Sequence, residues 1–273
     1  MARQFRQVDV FTDTPFFGNP VAVVLGADGL SDEQMQVLAR WTNLSETTFV
    51  LTPRADGADY RVRIFTPAAE LPFAGHPTIG TCHAWLEAGG RPAGPAAVQE
   101  CGAGLVTVRP TEAGLAFAAP PLLRDGPVSE DVAERVVKAL NLTRADIVDI
   151  AWADNGPGWV AVLLDSAEAV LAARPGPVNM DIGIAGPYPD GSAAALEVRA
   201  FSPQITSVED PVTGSLNASL AQWLLAAGRI TAPYVASQGT AMGRRGRVHI
   251  SCEQGQVWVG GAAVTCISGT VDV

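Results

Sequence analysis

The sequence predicts a mixed α+β protein of two similar domains, each a mostly antiparallel sheet wrapped around a central apolar helix. Three observations support this fold class: an internal repeat, two helices that are apolar on every face, and many short β-branched segments punctuated by 28 glycines and 20 prolines. The 273 residues allow two domains, at roughly 150 residues per domain.

The repeated unit reads as a strand, a proline-bounded loop and a helix that begins after a glycine. Residues 62–67 (VRIFTP) match 198–203 (VRAFSP). Residues 70–76 (ELPFAGH) match 209–215 (EDPVTGS) after a three-residue insertion in the second copy. Seven of the thirteen matched positions are identical, where roughly one is expected from ordinary residue frequencies. We therefore expect two copies of one unit.

Hydrophobic periodicity, together with the positions of glycines and capping residues, predicts the helices and strands. Apolar helices are predicted at about 77–88 and 216–227, each stopped by a glycine and each enclosed by sheet. Ser31 opens a surface helix, with Gln34 in capping-box spacing, and Ser129 opens another. Strands are predicted at 21–25, 47–51, 61–65, 104–108, 159–164, 196–201, 248–251 and 257–259.

The proline-rich stretch at 118–121 is the best domain boundary. We expect one domain at 1–118, completed by a C-terminal strand at 262–273, and a second domain at 119–261.

Composition excludes several classes of protein. Hydrophobic residues make up 48% and charged residues 17%, and the net charge is −10 without a basic stripe, so neither nucleic acid nor an anionic membrane is expected as a partner. The chain lacks an export signal and a long apolar run, so we expect a cytoplasmic protein. Its four cysteines include no C-x-x-C pair, which predicts reduced, mostly buried thiols. Lys138, the single lysine, lies on a solvated helix face, so Schiff-base chemistry is disfavoured.

Each repeat places a glycine and a polar residue at the opening of an apolar helix: Gly75-His76 in the first copy and Gly214-Ser215 in the second. The first N–H groups of a helix lack intrahelical acceptors and attract anions, so two such ends in one cleft could hold one anionic substrate. The alternative is structural, with Ser215 as an N-cap and His76 as a satisfied loop side chain. Pro77 at the first helical position suits both interpretations.

Glu46 is a carboxylate at the start of a β-branched, apolar strand. Burial there would raise its pKa towards that of a useful general base. The alternative is a local capping box with Asn43, although the sequence that follows is poor helix sequence.

Asp210 replaces Leu71 of the other repeat, which suggests specialisation of the second copy and makes Asp210 a catalytic candidate. Glu70 and Glu209 occur in both copies, so we expect them to hold the loop structure together. No phosphate loop, dinucleotide-binding fingerprint or histidine pair with zinc spacing is present, so neither a metal nor a nucleotide is expected.

The chain resembles the PhzF-like phenazine-biosynthesis family, whose fold is that of diaminopimelate epimerase. The matching motifs span nearly the whole chain: 11–12 (FT), 15–23 (PFFGNPVAV), 43–47 (NLSET), 65–67 (FTP), 70–78 (ELPFAGHPT), 209–215 (EDPVTGS), 238–239 (QG) and 242–244 (MGR). The resemblance implies a homodimer and cofactor-free isomerisation by proton transfer in an active site between the two domains. It also implies that Glu46 is the catalytic acid/base, with His76, Asp210 and Ser215 binding and polarising the substrate.

Amino-acid epimerases of this fold carry a cysteine at each helix start, where this chain has His76 and Ser215. One-base chemistry on one face is therefore expected, on a small anionic substrate with an activated carbon α or vinylogous to a carboxylate or enamine. The family's dihydro-hydroxyanthranilate isomerase is a precedent. The expected substrate-binding residues are Ser45, Gly75, His76, Asp210, Gly214 and Ser215. A lyase or dehydratase that begins with the same proton removal, and a non-catalytic binder of small anions, remain alternatives.

Overall fold

The computed structural model describes residues 2–203 and 209–273, and the chain forms two compact units. Unit 1 comprises Met1–Ala118 and Gly260–Val273, and unit 2 comprises Ala119–Val259. The three-residue insertion of the second repeat falls at 204–208, outside the described residues.

Unit 1 is a mixed sheet with two helices. Its strands are β1 (Ala2–Val10), β2 (Asn19–Val24), β3 (Glu46–Leu51), β4 (Tyr60–Phe65), β5 (Glu70–Leu71), β6 (Ala97–Cys101), β7 (Gly104–Thr111), β8 (Gly114–Ala118) and β18 (Ala263–Asp272). They pair in the order β18-β1-β2-β3-β4-β6-β7-β8, with β5 also on β4. The pairs β2–β3 and β4–β6 are parallel, and the other pairs in this order are antiparallel.

The helices of unit 1 are α1 (Asp32–Thr42) and α2 (Gly75–Glu87). Helix α2 packs against β1, β2, β3 and β8, and most of its residues are buried. Gly80 allows this close packing, because a Cβ atom there would overlap the side chain of Val21 on β2. The predicted apolar helix enclosed by sheet is confirmed for this copy.

Unit 2 repeats this plan. Its strands are β9 (Arg124–Pro127), β10 (Ile147–Asp154), β11 (Val160–Leu164), β12 (Ile182–Pro187), β13 (Leu196–Phe201), β14 (Glu209–Asp210), β15 (Tyr234–Gln238), β16 (Gly246–Glu253) and β17 (Gln256–Gly261), whose last two residues belong to unit 1. The order β9-β10-β11-β12-β13-β15-β16 is parallel at β11–β12 and β13–β15. This matches β18-β1-β2-β3-β4-β6-β7 pair for pair, so the chain does contain two copies of one unit.

The helices of unit 2 are α3 (Glu130–Leu140), α4 (Ala167–Ala172) and α5 (Gly214–Ala226). Helix α5 packs against β10 and β16, and it is the counterpart of α2. Gly183 on β12 faces Leu216 of α5, since a Cβ atom at Gly183 would overlap the leucine side chain.

The local signals at the surface helices are confirmed. Ser31 and Gln34 form the capping box of α1, and Ser129 is the N-cap of α3. Of the helices among residues 2–203 and 209–273, none is both long and apolar enough to cross a membrane.

The predicted starts of α2 and α5 are wrong by two residues. Both helices begin at the glycine itself, so Pro77 is the third helical residue rather than the first. Proline is tolerated there because the N–H groups of the first turn have no intrahelical acceptor. Ser215 is the second residue of α5, and the N-cap is Thr213.

The prediction of mostly buried thiols is also wrong. All four cysteines are free, but Cys82 alone is fully buried, in α2, and Cys252 is exposed near the end of β16. The spacing of cysteines indicates whether they are arranged for disulfides or metal binding. The burial of each cysteine depends instead on which face of its helix or strand it occupies.

Candidate active site

Glu46 is the first residue of β3, directly opposite Val21 on the parallel strand β2. Its side chain is 13% exposed. The alternative capping box with Asn43 is wrong, because Asn43 ends α1 in the left-handed conformation with φ 53°. The carboxylate therefore stands at a strand start, as predicted.

His76 is the second residue of α2, and it contacts Glu46. His76 Nε2 lies 3.3 Å from Glu46 Oε2. On the other side of the ring, Nδ1 lies 3.3 Å from Nδ2 of Asn19, the first residue of β2. Three elements therefore bring a carboxylate, an imidazole and an amide together in unit 1.

Burial keeps the His76 ring neutral. Desolvation lowers the pKa of His76 from 6.5 to about 3, against a smaller opposite effect of a hydrogen bond with the Pro20 backbone. A neutral imidazole has one N–H donor and one acceptor nitrogen. The ring therefore lies beside the Glu46 carboxylate without adding a positive charge.

The loop before β2 supports this side of the site. The Gly18 N–H donates to Oδ2 of the buried Asp9 at 2.9 Å. Gly18 must be glycine, because a Cβ atom there would overlap the Val10 carbonyl oxygen. The sequence indicated no role for Asn19 or Asp9, although Asn19 lies in one of the family motifs.

In unit 2, Asp210 and Ser215 flank the start of α5. Asp210 is the last residue of β14 and is 7% exposed, and its Oδ2 accepts a hydrogen bond of 2.6 Å from the Thr213 hydroxyl. Ser215 Oγ accepts a hydrogen bond of 3.1 Å from Trp159 Nε1. Since the indole N–H is a donor only, the serine keeps its own hydroxyl proton to donate elsewhere. Trp159 was missed because no local pattern links it to Ser215.

The starts of the two central helices differ from those of the surface helices. Each of α1, α3 and α4 has a serine N-cap that accepts a backbone N–H. The N-caps of α2 and α5 are Ala74 and Thr213, and neither makes a side-chain capping hydrogen bond. An uncapped helix start suits an external anion.

The other predicted binding residues lie next to these groups. Gly75 and Gly214 are the first residues of α2 and α5 and are buried. Ser45 is half-buried in the turn before β3.

The structural interpretation of Glu70 and Glu209 is confirmed. Arg63 donates from Nε and Nη2 to the two oxygens of Glu70, at 2.7 and 2.6 Å. Arg199 does the same to Glu209, at 2.9 and 2.7 Å. Matched residues of the repeat thus form matched bidentate ion pairs that hold the loop to its strand.

Strand register reveals a second carboxylate that sequence reasoning missed. Phe65 on β4 pairs with the residue after Glu46, and Phe201 on β13 pairs with the residue after Asp181. Because Phe65 and Phe201 are matched in the repeat, Asp181 is the positional counterpart of Glu46. It is 7% exposed.

Asp181 also lies on the corresponding face of its sheet. Alternate residues of an extended strand share a face, and Gly183, two residues on, faces Leu216 of α5. The sequence did not reveal the correspondence between Asp181 and Glu46, because residues 181–187 have no sequence identity to the start of β3.

Metal ligands do not cluster in the part of the chain that the structure describes: no group of three or more His, Cys, Asp or Glu side chains there could hold an ion.

Comparison with known proteins identifies the family. Residues 8–269 match the family model described as phenazine biosynthesis-like protein, PhzC-PhzF. Over 289 residues the chain is 37% identical to antisense-enhancing sequence 1 of Schizosaccharomyces pombe, covering 97% of each protein. Over 259 residues it is 36% identical to the trans-2,3-dihydro-3-hydroxyanthranilate isomerase of Pseudomonas aeruginosa, covering 90% of this chain and 89% of the relative.

Solved structures share the fold. A PhzF-family phenazine biosynthesis protein of Bacillus anthracis superposes with a TM-score of 0.82 at 24% identity, covering 100% of both chains. A hydroxyproline epimerase of Agrobacterium vitis superposes with a TM-score of 0.61 at 14% identity, covering 99% of this chain and 92% of that one. The predicted epimerase-like fold is confirmed. The chain belongs to the phenazine biosynthesis-like (PhzC-PhzF) protein family and is an isomerase of that family.

Proposed function

We propose that this isomerase moves a proton on an activated carbon of a small carboxylate, with Glu46 as the acid/base group. Glu46 takes the proton from a carbon–hydrogen bond as those electrons enter the conjugated system. It then returns the proton to another carbon of that system, so the double bonds shift and nothing is lost. The observation that carries this proposal is the 3.3 Å contact between Glu46 and a neutral His76.

The other candidate residues fill binding roles in this proposal. The helix starts, that of α2 in unit 1 and that of α5 with Ser215 in unit 2, are the proposed binding points for a substrate carboxylate. Asp210 and His76 bind its polar groups. The reaction needs no cofactor, because side chains supply the base and the hydrogen-bond donors.

The rate enhancement that a base and hydrogen-bond donors can supply restricts the substrate class. A positioned general base contributes about 10²–10⁴-fold, and one donor to a developing oxyanion contributes about 3–4 kcal/mol. Together these contributions suffice to remove a proton from a carbon whose acidity is already raised by a conjugated carboxylate or enamine. Trans-2,3-dihydro-3-hydroxyanthranilate, named for the relative of 36% identity, has this character and is the proposed test substrate.

The experiment compares Glu46→Gln with Asp181→Asn, its positional counterpart. Glu46→Gln keeps the shape of the side chain but removes the base, so turnover should fall by at least about 10²–10⁴-fold. Substrate binding, measured by calorimetry, should be nearly unchanged. Asp181→Asn should retain turnover and hydrogen exchange in D₂O.

Three results would contradict the proposal. Near wild-type turnover by Glu46→Gln would remove Glu46 as the base. Loss of activity in Asp181→Asn alone would move the base to unit 2. A product lighter by water or ammonia in the mass spectrum would make the reaction an elimination.

A further inference from the structure

A closed set of hydrogen bonds connects Asp210 to the end of β15. Gln238, the last residue of β15, is fully buried. Its Nε2 donates to Thr213 Oγ1 at 2.9 Å and to the Asp210 carbonyl at 3.2 Å. Its Oε1 accepts from the Thr213 N–H at 3.0 Å and from Asn217 Nδ2 at 2.8 Å. All four hydrogen-bonding positions of this amide are used.

These contacts fix the direction of every hydrogen bond in the set. A backbone N–H can only donate, so the Gln238 atom facing the Thr213 N–H must be the oxygen. The Gln238 nitrogen then faces Thr213 Oγ1 and donates to it. A hydroxyl has one proton, so Thr213 directs it at its remaining partner, the Asp210 carboxylate, at 2.6 Å.

The repeat shows that this set is a specialisation of unit 2. Gln99 on β6 lies 139 residues before Gln238, as His76 does before Ser215. It is also fully buried, and its Nε2 donates to Thr78 Oγ1 on α2 at 3.0 Å.

The loop residues differ between the copies. The counterparts of Asp210 and Thr213 in unit 1 are Leu71 and Ala74, which have no side-chain oxygen. Anchoring of the central helix by a glutamine is therefore common to both copies, whereas the contact with a carboxylate belongs to unit 2.

We propose that Thr213 and Gln238 are positioning residues of this isomerase, which hold the Asp210 carboxylate in one orientation for substrate. This rests on the proposed binding role of Asp210. Thr213 is the N-cap residue of α5, yet its hydroxyl does not cap the helix. The Thr213 hydroxyl donates its proton to Asp210 instead. It therefore leaves the first N–H groups of α5 without a side-chain cap, as an anion site requires.

The test uses three variants with trans-2,3-dihydro-3-hydroxyanthranilate as substrate. Thr213→Val keeps the shape and the backbone N–H but removes the hydroxyl. We expect kcat/KM to fall by about 10- to 100-fold, the range for a hydrogen bond to a charged group, with most of the loss in KM. Thr213→Ser restores the hydroxyl and should recover most of that loss. Ser219→Ala removes another buried hydroxyl of α5, bonded to the Leu216 carbonyl, and should change little.

Two outcomes would overturn the proposal. Unchanged kinetics in Thr213→Val, with Glu46→Gln inactive, would reject the positioning role and leave the proposed function intact. Equal losses in Thr213→Val and Thr213→Ser would show that the methyl group matters and not the hydroxyl.

An NMR measurement decides the point without turnover. In threonine-labelled protein, the Thr213 hydroxyl proton should exchange slowly with water and show a cross-peak to the Gln238 amide. Its resonance should shift in Asp210→Asn and stay unchanged in Ser219→Ala. A rapidly exchanging proton, or one insensitive to Asp210→Asn, would overturn the proposal even if Glu46→Gln proved fully active.

Discussion

The charge state of His76 is set by burial. Desolvation lowers its pKa to about 3, so the folded protein keeps the ring neutral while an unfolded chain would protonate it below 6.5. The unfolded state then binds more protons between those pH values, and stability falls as pH drops from 6.5 towards 3. We expect the ring resonances of His76 in NMR spectra to stay constant from pH 8 down to pH 5.

His83 and His249 provide internal comparisons in the same spectra. Burial lowers the pKa of each, and both rings are less enclosed than that of His76. A variant His76→Gln should lose less stability on acidification than the native protein. A His76 titration centred near pH 6.5 would contradict a ring that stays neutral beside Glu46.

At this scale the sequence predicted where the candidate side chains stand in the fold but not the residues that contact them. Glu46, His76, Asp210 and Ser215 each stand at a strand or helix boundary, where local pattern is informative. Asn19, Trp159 and Asp181 are instead placed by backbone pairing with neighbouring strands. Pairing joins residues far apart in the chain, so no local spacing predicts such contacts.

At the scale of the elements, two arginine–glutamate ion pairs link a strand to its loop. They differ in burial, so their removal should change stability by different amounts. Arg199 is 7% exposed, holds Glu209 in a bidentate pair, and also donates to the Val170 and Ala173 carbonyls beside α4. Arg63 is 16% exposed, and its partner Glu70 is 42% exposed. Arg199→Ala removes both this largely enclosed ion pair and two hydrogen bonds to backbone carbonyls, so it should cost about 3–5 kcal/mol of unfolding free energy. Arg63→Ala should cost about 0–1 kcal/mol, because solvent screens the exposed pair.

Urea unfolding of both variants at pH 7 measures the difference, and each variant serves as the control for the other. Adding Glu209→Gln to Arg199→Ala should recover part of the lost stability, because it removes the negative charge that Arg199 no longer neutralises. Equal losses for the two single variants would mean that burial does not distinguish the copies.

The starts of the central helices show where element prediction failed. Glycine has poor helix propensity, which favoured starts after Gly75 and Gly214, yet both glycines are helical. Tertiary enclosure of α2 and α5 outweighs about 1 kcal/mol of local preference. Where sheet does not enclose the helix, as at Ser31 and Ser129, the local capping signal predicted the boundary correctly.

Across the whole molecule, two units of one topology carry different chemistry. Unit 1 pairs Glu46 with a neutral imidazole, whereas unit 2 pairs Ser215 with an indole N–H and Asp210 with a hydroxyl. A duplicated chain needs to keep only the core pattern for both copies to fold, so polar residues at helix starts can diverge. The repeat therefore predicted the fold well, and its mismatched positions supplied the candidate site residues.

This asymmetry predicts how hydrogen moves during isomerisation. If Glu46 alone removes and returns the proton, a deuterium label placed on the reacting carbon stays on that carboxyl group between the two steps. Part of the label should therefore appear at the new position in the product, even in ordinary water. Two separate bases would take the returning proton from a different group, and the product would carry no label. Mass spectrometry of product from single turnovers measures the retained fraction, with unlabelled substrate in D₂O as the reciprocal control. Complete washout of label at every turnover time would contradict a single base and make Asp181 the next residue to test.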